Sequence, residues 1–437
     1  MSMIDSKRDL VQAELKALKR AFLVGIYPAG QEKKRCEESL EELRRLSDTF
    51  GLEVVGCMAV PMRRFDPATM IGKGKMEELF QEAEALFAEV IIFDEEISPR
   101  QQRNLDRFFK RPVIDRTELI IEVFAKRAQT KEARLQVELA KCRYQLPRLK
   151  RMWTHLSRQA AVSGRGGAYL KGAGEKQLEI DKRLTKKRMD LLQKAIEKVT
   201  EQRKTVRRAR LRSAIPALAI VGYTNAGKST LLKALTQAEV LIEDKLFATL
   251  DTTTRKFTLP NRQQILLVDT VGFIRKIPTT LVAAFKSTLE EALYTDILLH
   301  LVDVSHPLAE EQAEETERIL KELGVKEKPV ITVLNKIDAC RDPLIVQRFR
   351  IRYPRCVAVS ALYKQGMDVL LEQIVALLKQ LRVTLRLRIP QSHYRLVSEL
   401  FRIGKVAHVE YVENDVFLEI ELPKEFEERV LPFVTSR

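Results

Sequence analysis

The fold of the second half of the chain is decided by the stretch Gly222-Tyr223-Thr224-Asn225-Ala226-Gly227-Lys228-Ser229. It directly follows the apolar run 217–221, and it precedes Leu231–Leu235, whose composition predicts a helix. Glycines between a strand and a helix let backbone amides and the helix N-terminus face phosphate oxygens. The sequence therefore predicts a phosphate-binding loop, with Lys228 on the outer phosphates and the hydroxyl of Ser229 on Mg²⁺.

A second motif predicts which base is bound. The residues Asn335-Lys336-Ile337-Asp338 follow the apolar run 330–334. An aspartate at this place accepts hydrogen bonds from the ring N1–H and the amine of guanine, whereas adenine would leave the carboxylate unpaired, and such sites discriminate by about 10⁴-fold. The stretch Ser360-Ala361-Leu362 fits the loop that closes over guanine with backbone amides. We therefore expect GTP and GDP as the bound nucleotides.

Two further stretches have the pattern of nucleotide-sensing switches. The first is Phe247-Ala248-Thr249-Leu250-Asp251, and the second is Asp269-Thr270-Val271-Gly272 after the apolar run 265–268. Asp269 is placed to hold Mg²⁺ through water, and the Gly272 amide to contact the γ-phosphate. A second hydroxyl for Mg²⁺ is available from four threonines, which spacing alone does not distinguish: Thr249, Thr252, Thr253 and Thr254.

The catalytic group is not identified by these motifs. Many GTPases place a glutamine directly after the Asp-x-x-Gly stretch to orient the attacking water, but this chain has Phe273 there. We therefore expect slow intrinsic GTP hydrolysis that a partner stimulates. Asn225 has two interpretations, as a ligand for a monovalent cation such as potassium or as a residue that stabilises the loop turn. The catalytic candidates are Lys228, Thr249 and Asn225.

The rest of the chain predicts a multidomain α/β protein. Apolar runs separated by amphipathic helices indicate an N-terminal α/β domain with a parallel sheet over residues 1–128. Apolar residues at alternating steps of four and three predict an antiparallel helical hairpin with a Gly-rich connection over 129–213. The P-loop GTPase domain, with a mixed sheet and helices on both faces, is expected at 214–381. A small C-terminal α+β domain follows at 382–437, with the order β-α-β-β-α.

The charge of the chain favours an anionic partner. Lys and Arg total 76 against 60 Asp and Glu, a net charge of +16. Residues 182–212 alone carry 13 Lys or Arg and 3 acidic residues. A basic hairpin with a Gly-rich basic tip can follow irregular RNA. The alternative is a solvated charged coiled coil, which composition does not separate from an RNA-binding hairpin.

Cysteine usage and hydropathy bear on the compartment. The 5 cysteines are scattered and never form a C-x-x-C pair, so neither a disulfide framework nor a zinc site is indicated. The N-terminus lacks an apolar signal core, and no apolar run approaches the roughly 20 residues that span a bilayer. We expect a cytoplasmic protein that is monomeric in solution.

The motifs resemble those of the HflX family of translational GTPases, in the Obg/HflX group. The resemblance rests on the phosphate-binding loop, both switch stretches, Ile71–Leu79 and the Gly-rich segment Gly172–Arg183. It implies a GTPase that binds the large ribosomal subunit and its RNA and helps to split ribosomes, with Thr249 as the switch threonine on Mg²⁺. The Gly-rich segment departs from the family pattern at Ala173 and Lys176, so its RNA contacts are less securely implied than the nucleotide site.

Other classes of protein are compatible with parts of the sequence. The nearest alternative is a GTPase for RNA modification or ribosome assembly that binds RNA through its N-terminal and hairpin regions. A P-loop kinase or ATPase is opposed by Asn335 and Asp338. A non-enzymatic RNA-binding scaffold is opposed by the presence of Lys228, Ser229 and Asp269 together.

Overall fold

The computed structural model describes residues 18–29, 33–62, 66–149, 170–211, 215–236, 246–247, 253–276, 294–325 and 328–436. These residues form two compact units. The first comprises Met1–Glu197, Glu243–Leu250 and Lys276–Phe285, as far as these ranges are described. The second comprises Lys198–Ile242, Asp251–Arg275 and Lys286–Arg437. Strands and helices alternate in both units, which confirms the predicted α/β class.

The first unit contains a parallel four-stranded sheet. Its strands are β1 (Arg20–Pro28), β2 (Glu53–Met62), β3 (Val90–Phe93) and β4 (Val113–Asp115), in the order β2-β1-β3-β4. The helices between and after them are α1 (Lys33–Phe50), α2 (Lys73–Ala85), α3 (Pro99–Phe109) and α4 (Arg116–Arg127). Apolar residues of α2 and α3 pack on one face of the sheet. Strands that are covered by helices are apolar along their whole length, which is why the sequence predicted these strands.

Two helices follow this sheet in the chain. They are α5 (Lys131–Gln145) and α6 (Leu170–Leu211). Leu139 and Cys142 of α5 form a buried cluster with Leu192 of α6, as the apolar stripe predicted. A short 3₁₀ turn over Leu146–Arg148, which contains Pro147, follows α5.

The connection between these helices differs from the prediction. The Gly-rich connection was predicted to run from residue 163 to the start of the second helix at about Glu175, but residues 170–174 already belong to the first turns of α6, and residues 163–169 lie outside the described residues. Two glycines in a helix cost about 1 kcal/mol each relative to alanine, but the flanking Leu, Lys, Ala and Glu residues have high helix propensity. The predicted loop is therefore wrong over residues 170–174.

The second unit contains a six-stranded mixed sheet. Its strands are β5 (Ala217–Gly222), β6 (Thr253–Thr258), β7 (Gln264–Asp269), β8 (Ile297–Asp303), β9 (Val330–Asn335) and β10 (Cys356–Ala358). The order is β10-β9-β8-β5-β7-β6, and only the β6–β7 pair is antiparallel among these described strands. Its helices are α7 (Lys228–Thr236), α8 (Ala309–Glu322), α9 (Pro343–Arg352) and α10 (Met367–Gln380). Helices α7 and α10 share one core and α8 and α9 another, which confirms helices on both faces.

A small antiparallel sheet completes the second unit. Its elements are β11 (Arg382–Pro390), α11 (Tyr394–Ile403), β12 (Lys405–Val412), β13 (Asp415–Pro423), α12 (Glu427–Val430) and β14 (Val434–Ser436), with the strand order β12-β13-β11-β14. The predicted β-α-β-β-α order is confirmed, and β14 is an addition that pairs with β11. Across the described residues of both units, no helix combines the length and the apolar character that a membrane crossing requires.

Candidate nucleotide-binding site

The predicted phosphate-binding loop connects β5 to α7. The strand is buried over residues 218–222, and α7 begins at Lys228, so the loop lies at the carboxyl edge of the sheet. Gly227 has φ +92°, and a Cβ atom there would lie 2.3 Å from Nδ2 of Asn335. Both the backbone conformation and the space therefore require glycine at this position. The loop has the strand–loop–helix context that the sequence predicted.

Lys228 lies inside this loop and is 7% exposed. Its Nζ atom donates hydrogen bonds to the backbone oxygens of Tyr223 at 2.8 Å and Gly222 at 3.3 Å. Burial lowers the pKa of Lys228 to about 8, although nearby Asp269 opposes this shift. A phosphate bound to the loop would favour the ammonium form and raise this pKa again. The lysine is thus placed for the role in phosphate binding that the motif predicted.

Ser229 and Asp269 provide the oxygen atoms that suit a magnesium ion. The Ser229 hydroxyl donates to Oδ2 of Asp269 over 2.9 Å, and Asp269 is completely buried at the end of β7. Hydroxyl and carboxylate oxygens are the ligands that Mg²⁺ prefers. Elsewhere in the described ranges, no group of three or more His, Cys, Asp or Glu side chains forms a metal site. The Ser229–Asp269 pair therefore fits Mg²⁺, while its predicted partner Thr249 lies outside the described residues.

Asn335 joins the phosphate end of the site to the base end. Its Nδ2 donates to the Ala226 oxygen at 2.8 Å, and its Oδ1 accepts from the Ala361 amide at 3.0 Å. The side chain is 2% exposed, so both hydrogen bonds are shielded from water. One buried amide thereby holds together three motifs that are distant in the sequence.

The other residues of the base-reading motifs follow from this arrangement. Asp338 lies exposed in a 3₁₀ turn over Ile337–Ala339, and Lys336 pairs with Asp303 at 2.7 Å. Ser360 and Ala361 are buried, whereas Leu362 is 68% exposed. The exposed Asp338 carboxylate remains accessible to a base, so its predicted contact with guanine stays a prediction.

The second switch stretch packs directly against the phosphate-binding loop. The Phe273 amide donates to the Gly222 oxygen at 3.0 Å, and the Phe273 oxygen accepts from the Thr224 amide at 2.7 Å. The Phe273 ring is 1% exposed and therefore points into the core. Thr270 and Val271 are also buried, and the Thr270 hydroxyl donates to the Ile220 oxygen. This burial agrees with the expectation that residue 273 does not orient a water molecule.

The first switch stretch is only partly described. Phe247 is 2% exposed and packs against Phe124 within the first unit, with the ring centroids 4.4 Å apart and the ring planes tilted by 60°. The preceding Leu246 amide donates to the Thr49 hydroxyl at 3.2 Å. The ring therefore has a packing role in that unit. The remaining predicted residues, Ala248, Thr249, Leu250 and Asp251, lie outside the described residues.

Two features of the site were not predicted. Asp303 ends β8, and it lies opposite Asn335 of β9 in the sheet, which places its carboxylate beside Lys336. An acidic residue directly after a buried apolar run was the available signal. The second feature is the Tyr223 hydroxyl, which accepts the Arg275 amide at 2.7 Å. No local pattern indicates a contact between residues 52 positions apart.

Asn225 has a backbone φ of 60°, in the left-handed region. Asparagine tolerates this conformation better than most residues, which supplies a structural reason for its presence. The carboxyl edge of this sheet thus carries a buried lysine in a phosphate loop and, connected to it through Asn335, a loop of base-reading composition. That arrangement is the one found in P-loop GTPases.

Comparisons with known proteins agree with this class. Three family models match the chain: GTP-binding GTPase N-terminal over residues 37–125, GTP-binding GTPase Middle Region over 127–210, and 50S ribosome-binding GTPase over 217–336. The GTPase HflX of Chlamydia pneumoniae is 44% identical over 418 residues, covering 95% of this chain and 88% of that protein. The GTPase HflX of Escherichia coli is 39% identical, covering 92% of this chain and 93% of its own.

The chain belongs to the HflX family of GTPases, as its motifs predicted. It binds guanine nucleotide and hydrolyses GTP. Among solved structures, the complex of SsGBP with GDP is 27% identical, covering 83% of this chain and 99% of its own, at a TM-score of 0.49. A GTP-binding protein from Sulfolobus solfataricus in complex with GDP is 26% identical, covering 83% of this chain and 100% of its own, at a TM-score of 0.45.

Proposed function

We propose that this GTPase binds the large ribosomal subunit in its GTP-bound state and acts there in translation by helping to split or recycle ribosomes. The observation that carries the proposal is the match of residues 217–336 to a model described as 50S ribosome-binding GTPase. A cytoplasmic location belongs to the same proposal, since a ribosomal role would require it.

The basic helix α6 supports RNA as the partner. Lys186 and Lys187 are exposed on it, and the surrounding residues 182–212 hold 13 basic and 3 acidic side chains. A protein that neutralises RNA phosphates releases bound counterions, so its affinity falls as salt rises. We therefore propose that α6 contacts ribosomal RNA through its lysines and arginines.

The nucleotide site supports a switch that is incomplete without a partner. Because the Phe273 ring is buried, no side chain at that position reaches an attacking water. We propose that Ser229 and Thr249 would hold Mg²⁺ directly and Asp269 would hold it through water, and that the ion would supply positive charge at the phosphates. Intrinsic hydrolysis should then be slow and rise when the partner is bound.

The test is sedimentation of large ribosomal subunits with the protein under GTP, GDP and a non-hydrolysable GTP analogue. We expect co-sedimentation with GTP and the analogue, weak binding with GDP, and loss of binding as salt increases. Binding that changes neither with the nucleotide nor with the salt concentration would contradict the proposal. Preference for free precursor RNA over assembled subunits would instead favour the RNA-modification or assembly alternative.

A charge-reversal variant makes this test specific to α6. The double variant Lys186→Glu, Lys187→Glu should weaken subunit binding and make it less dependent on salt, by about one unit of log–log slope for each RNA phosphate that is no longer neutralised. The matched control is Lys321→Glu, Lys379→Glu, which reverses two exposed lysines on α8 and α10. Equal decreases in affinity for both double variants would show that subunit binding depends on the net charge of the protein and not on contacts of α6.

Two smaller points belong to the same proposal. We propose Asn225 as a candidate ligand for potassium, in addition to its role in the loop turn. Faster hydrolysis in potassium than in sodium would support Asn225 as a potassium ligand, and equal rates would contradict that role.

We also propose that the protein is a monomer in solution, which sedimentation equilibrium without ribosomes would check.

A further inference from the structure

The side chain of Tyr223 lies between the phosphate-binding loop and the second switch stretch. It is 5% exposed, and its hydroxyl accepts the backbone amide of Arg275 at 2.7 Å. A phenylalanine would fill the same space but would lack this hydrogen bond. The bond joins the second residue of the loop to a turn that follows Phe273.

The hydroxyl continues a line of backbone hydrogen bonds. Phe273 exchanges two of them with the loop, donating to Gly222 and accepting from Thr224, in a parallel bridge opposite Tyr223. The Arg275 amide lies beyond the end of this bridge, where no further backbone oxygen of the loop pairs with it in the described hydrogen bonds. The tyrosine hydroxyl thus provides a third hydrogen bond between the two segments and extends the attachment by two residues.

This attachment determines where Gly272 lies. A Cβ atom on Gly272 would approach Nζ of Lys228 and Cα of Thr224 to 2.8 Å each, so its backbone is pressed against the phosphate-binding lysine. Lysine in this motif contacts the outer phosphates. A segment held at this distance needs no large movement to present its amide to the same γ-phosphate.

The identity of residue 273 makes the backbone position more important. In GTPases with a glutamine here, a side chain orients the water, and it can adjust to small backbone shifts. In this chain the Phe273 ring is buried and its amide donates to the Gly222 oxygen, so the Gly272 amide is the group of this segment expected to contact the reacting phosphate. Small displacements of positioned groups reduce rates strongly.

We propose that Tyr223 is a positioning residue for GTP hydrolysis, whose hydroxyl holds the second switch stretch against the phosphate-binding loop through the Arg275 amide. The proposal concerns intrinsic hydrolysis, so its test does not depend on whether the protein binds ribosomes. The hydroxyl contacts the switch through the Arg275 amide. Its removal should therefore affect the GTP reaction and leave GDP binding intact.

The test compares Tyr223→Phe with the unchanged protein in single-turnover hydrolysis with saturating GTP and Mg²⁺. We expect the hydrolysis rate to fall about 3- to 10-fold, as for the removal of one hydrogen bond, while the Kd for GDP stays within about twofold. An unchanged rate, or equal decreases in rate and GDP affinity, would overturn the proposal.

Two further variants separate positioning from packing. Tyr223→Leu also lacks the hydroxyl but leaves space where the ring was, so it should match Tyr223→Phe in rate and have a lower Tm. If the hydrolysis rate decreased in step with Tm across the two variants, lost packing would explain the effect and the proposal would be overturned.

The matched control is Tyr144→Phe, which removes another buried hydroxyl, one that donates to Asp115 in the first unit. It should lower Tm without changing the hydrolysis rate, and a similar decrease in rate there would also count against a specific role for Tyr223.

Discussion

Among single residues, Asp338 is the one on which base selection is predicted to depend. Its carboxylate is exposed at the base end of the site and can only accept hydrogen bonds at neutral pH. In Asp338→Asn, the amide donates where guanine also donates, so GDP affinity should fall by about 100-fold or more, while XDP, whose base has an accepting oxygen there, should bind more tightly. Titration with both nucleotides measures this exchange.

The control for Asp338 is Asp368→Asn, an equal change of charge at an exposed position in the first turn of α10. It should leave the ratio of GDP to XDP affinity unchanged. If Asp338→Asn also kept its preference for GDP, another residue would have to read the base.

A second residue-scale prediction concerns the stability of the protein in acid. His300 lies on β8 and is 2% exposed, and burial lowers its pKa to about 4, with a smaller opposing effect of Glu317. The unfolded chain, with an ordinary pKa near 6.5, binds the proton first as pH falls. Folding is therefore penalised progressively between about pH 6.5 and pH 4, by about 2 kcal/mol at pH 5.

Urea unfolding at pH 7 and pH 5 checks this contribution. The variant His300→Leu should lose less stability between the two pH values than the unchanged protein does. The variant His408→Leu, at an exposed histidine of β12, should show the same decrease in stability as the unchanged protein. The same acid sensitivity in all three proteins would show that His300 titrates normally.

Among the elements, the carboxyl ends of β3 and β4 carry a buried network of charges. Arg116, the first residue of α4, pairs with Asp94 at 2.6 Å and also with Glu42 of α1. Asp94 accepts from the Ser39 hydroxyl at 2.8 Å and pairs with Lys276 of the same unit. Burial alone raises the pKa of Asp94, but Arg116 and Lys276 outweigh it and hold the pKa below its usual value. The network therefore connects helices α1 and α4 to the end of β3 around one arginine.

Removing that arginine should destabilise the first unit strongly. Arg116→Met leaves two carboxylates without their main partner, one of them fully buried, which typically costs about 3–5 kcal/mol. Denaturant unfolding followed by circular dichroism measures the decrease in the free energy of unfolding. Since the lowered pKa of Asp94 contributes stability only above its unfolded pKa, the difference from the unchanged protein should shrink as pH falls through the acid range.

The comparison for this element is Arg107→Met, an exposed arginine of α3, which should change stability by no more than about 0.5 kcal/mol. A similarly small effect of Arg116→Met would mean that water or backbone shifts compensate the carboxylates.

For the whole molecule, the sequence predicted what depends on local pattern. Parallel strands covered by helices are continuous apolar runs, and the phosphate-binding motif is eight consecutive residues from the end of β5 to the start of α7. Contacts between distant segments were not accessible in this way. The hydrogen bond between Asn335 and Ala226 joins residues 109 positions apart, and β14 is only three residues long, too short for any periodicity. In α6, helix propensity around two glycines overrode the loop that glycine content suggested.

The buried ring of Phe273 has a consequence for redesign of this enzyme. An engineer who wanted a faster, self-sufficient catalyst would first restore the missing amide with Phe273→Gln. The glutamine side chain would take the place of the Phe273 ring, which is 1% exposed and lies inside the core, away from solvent. An unsatisfied buried amide costs about 1–3 kcal/mol, and the gain in turnover would not follow. The group that speeds hydrolysis would then have to come from the proposed partner, outside the chain.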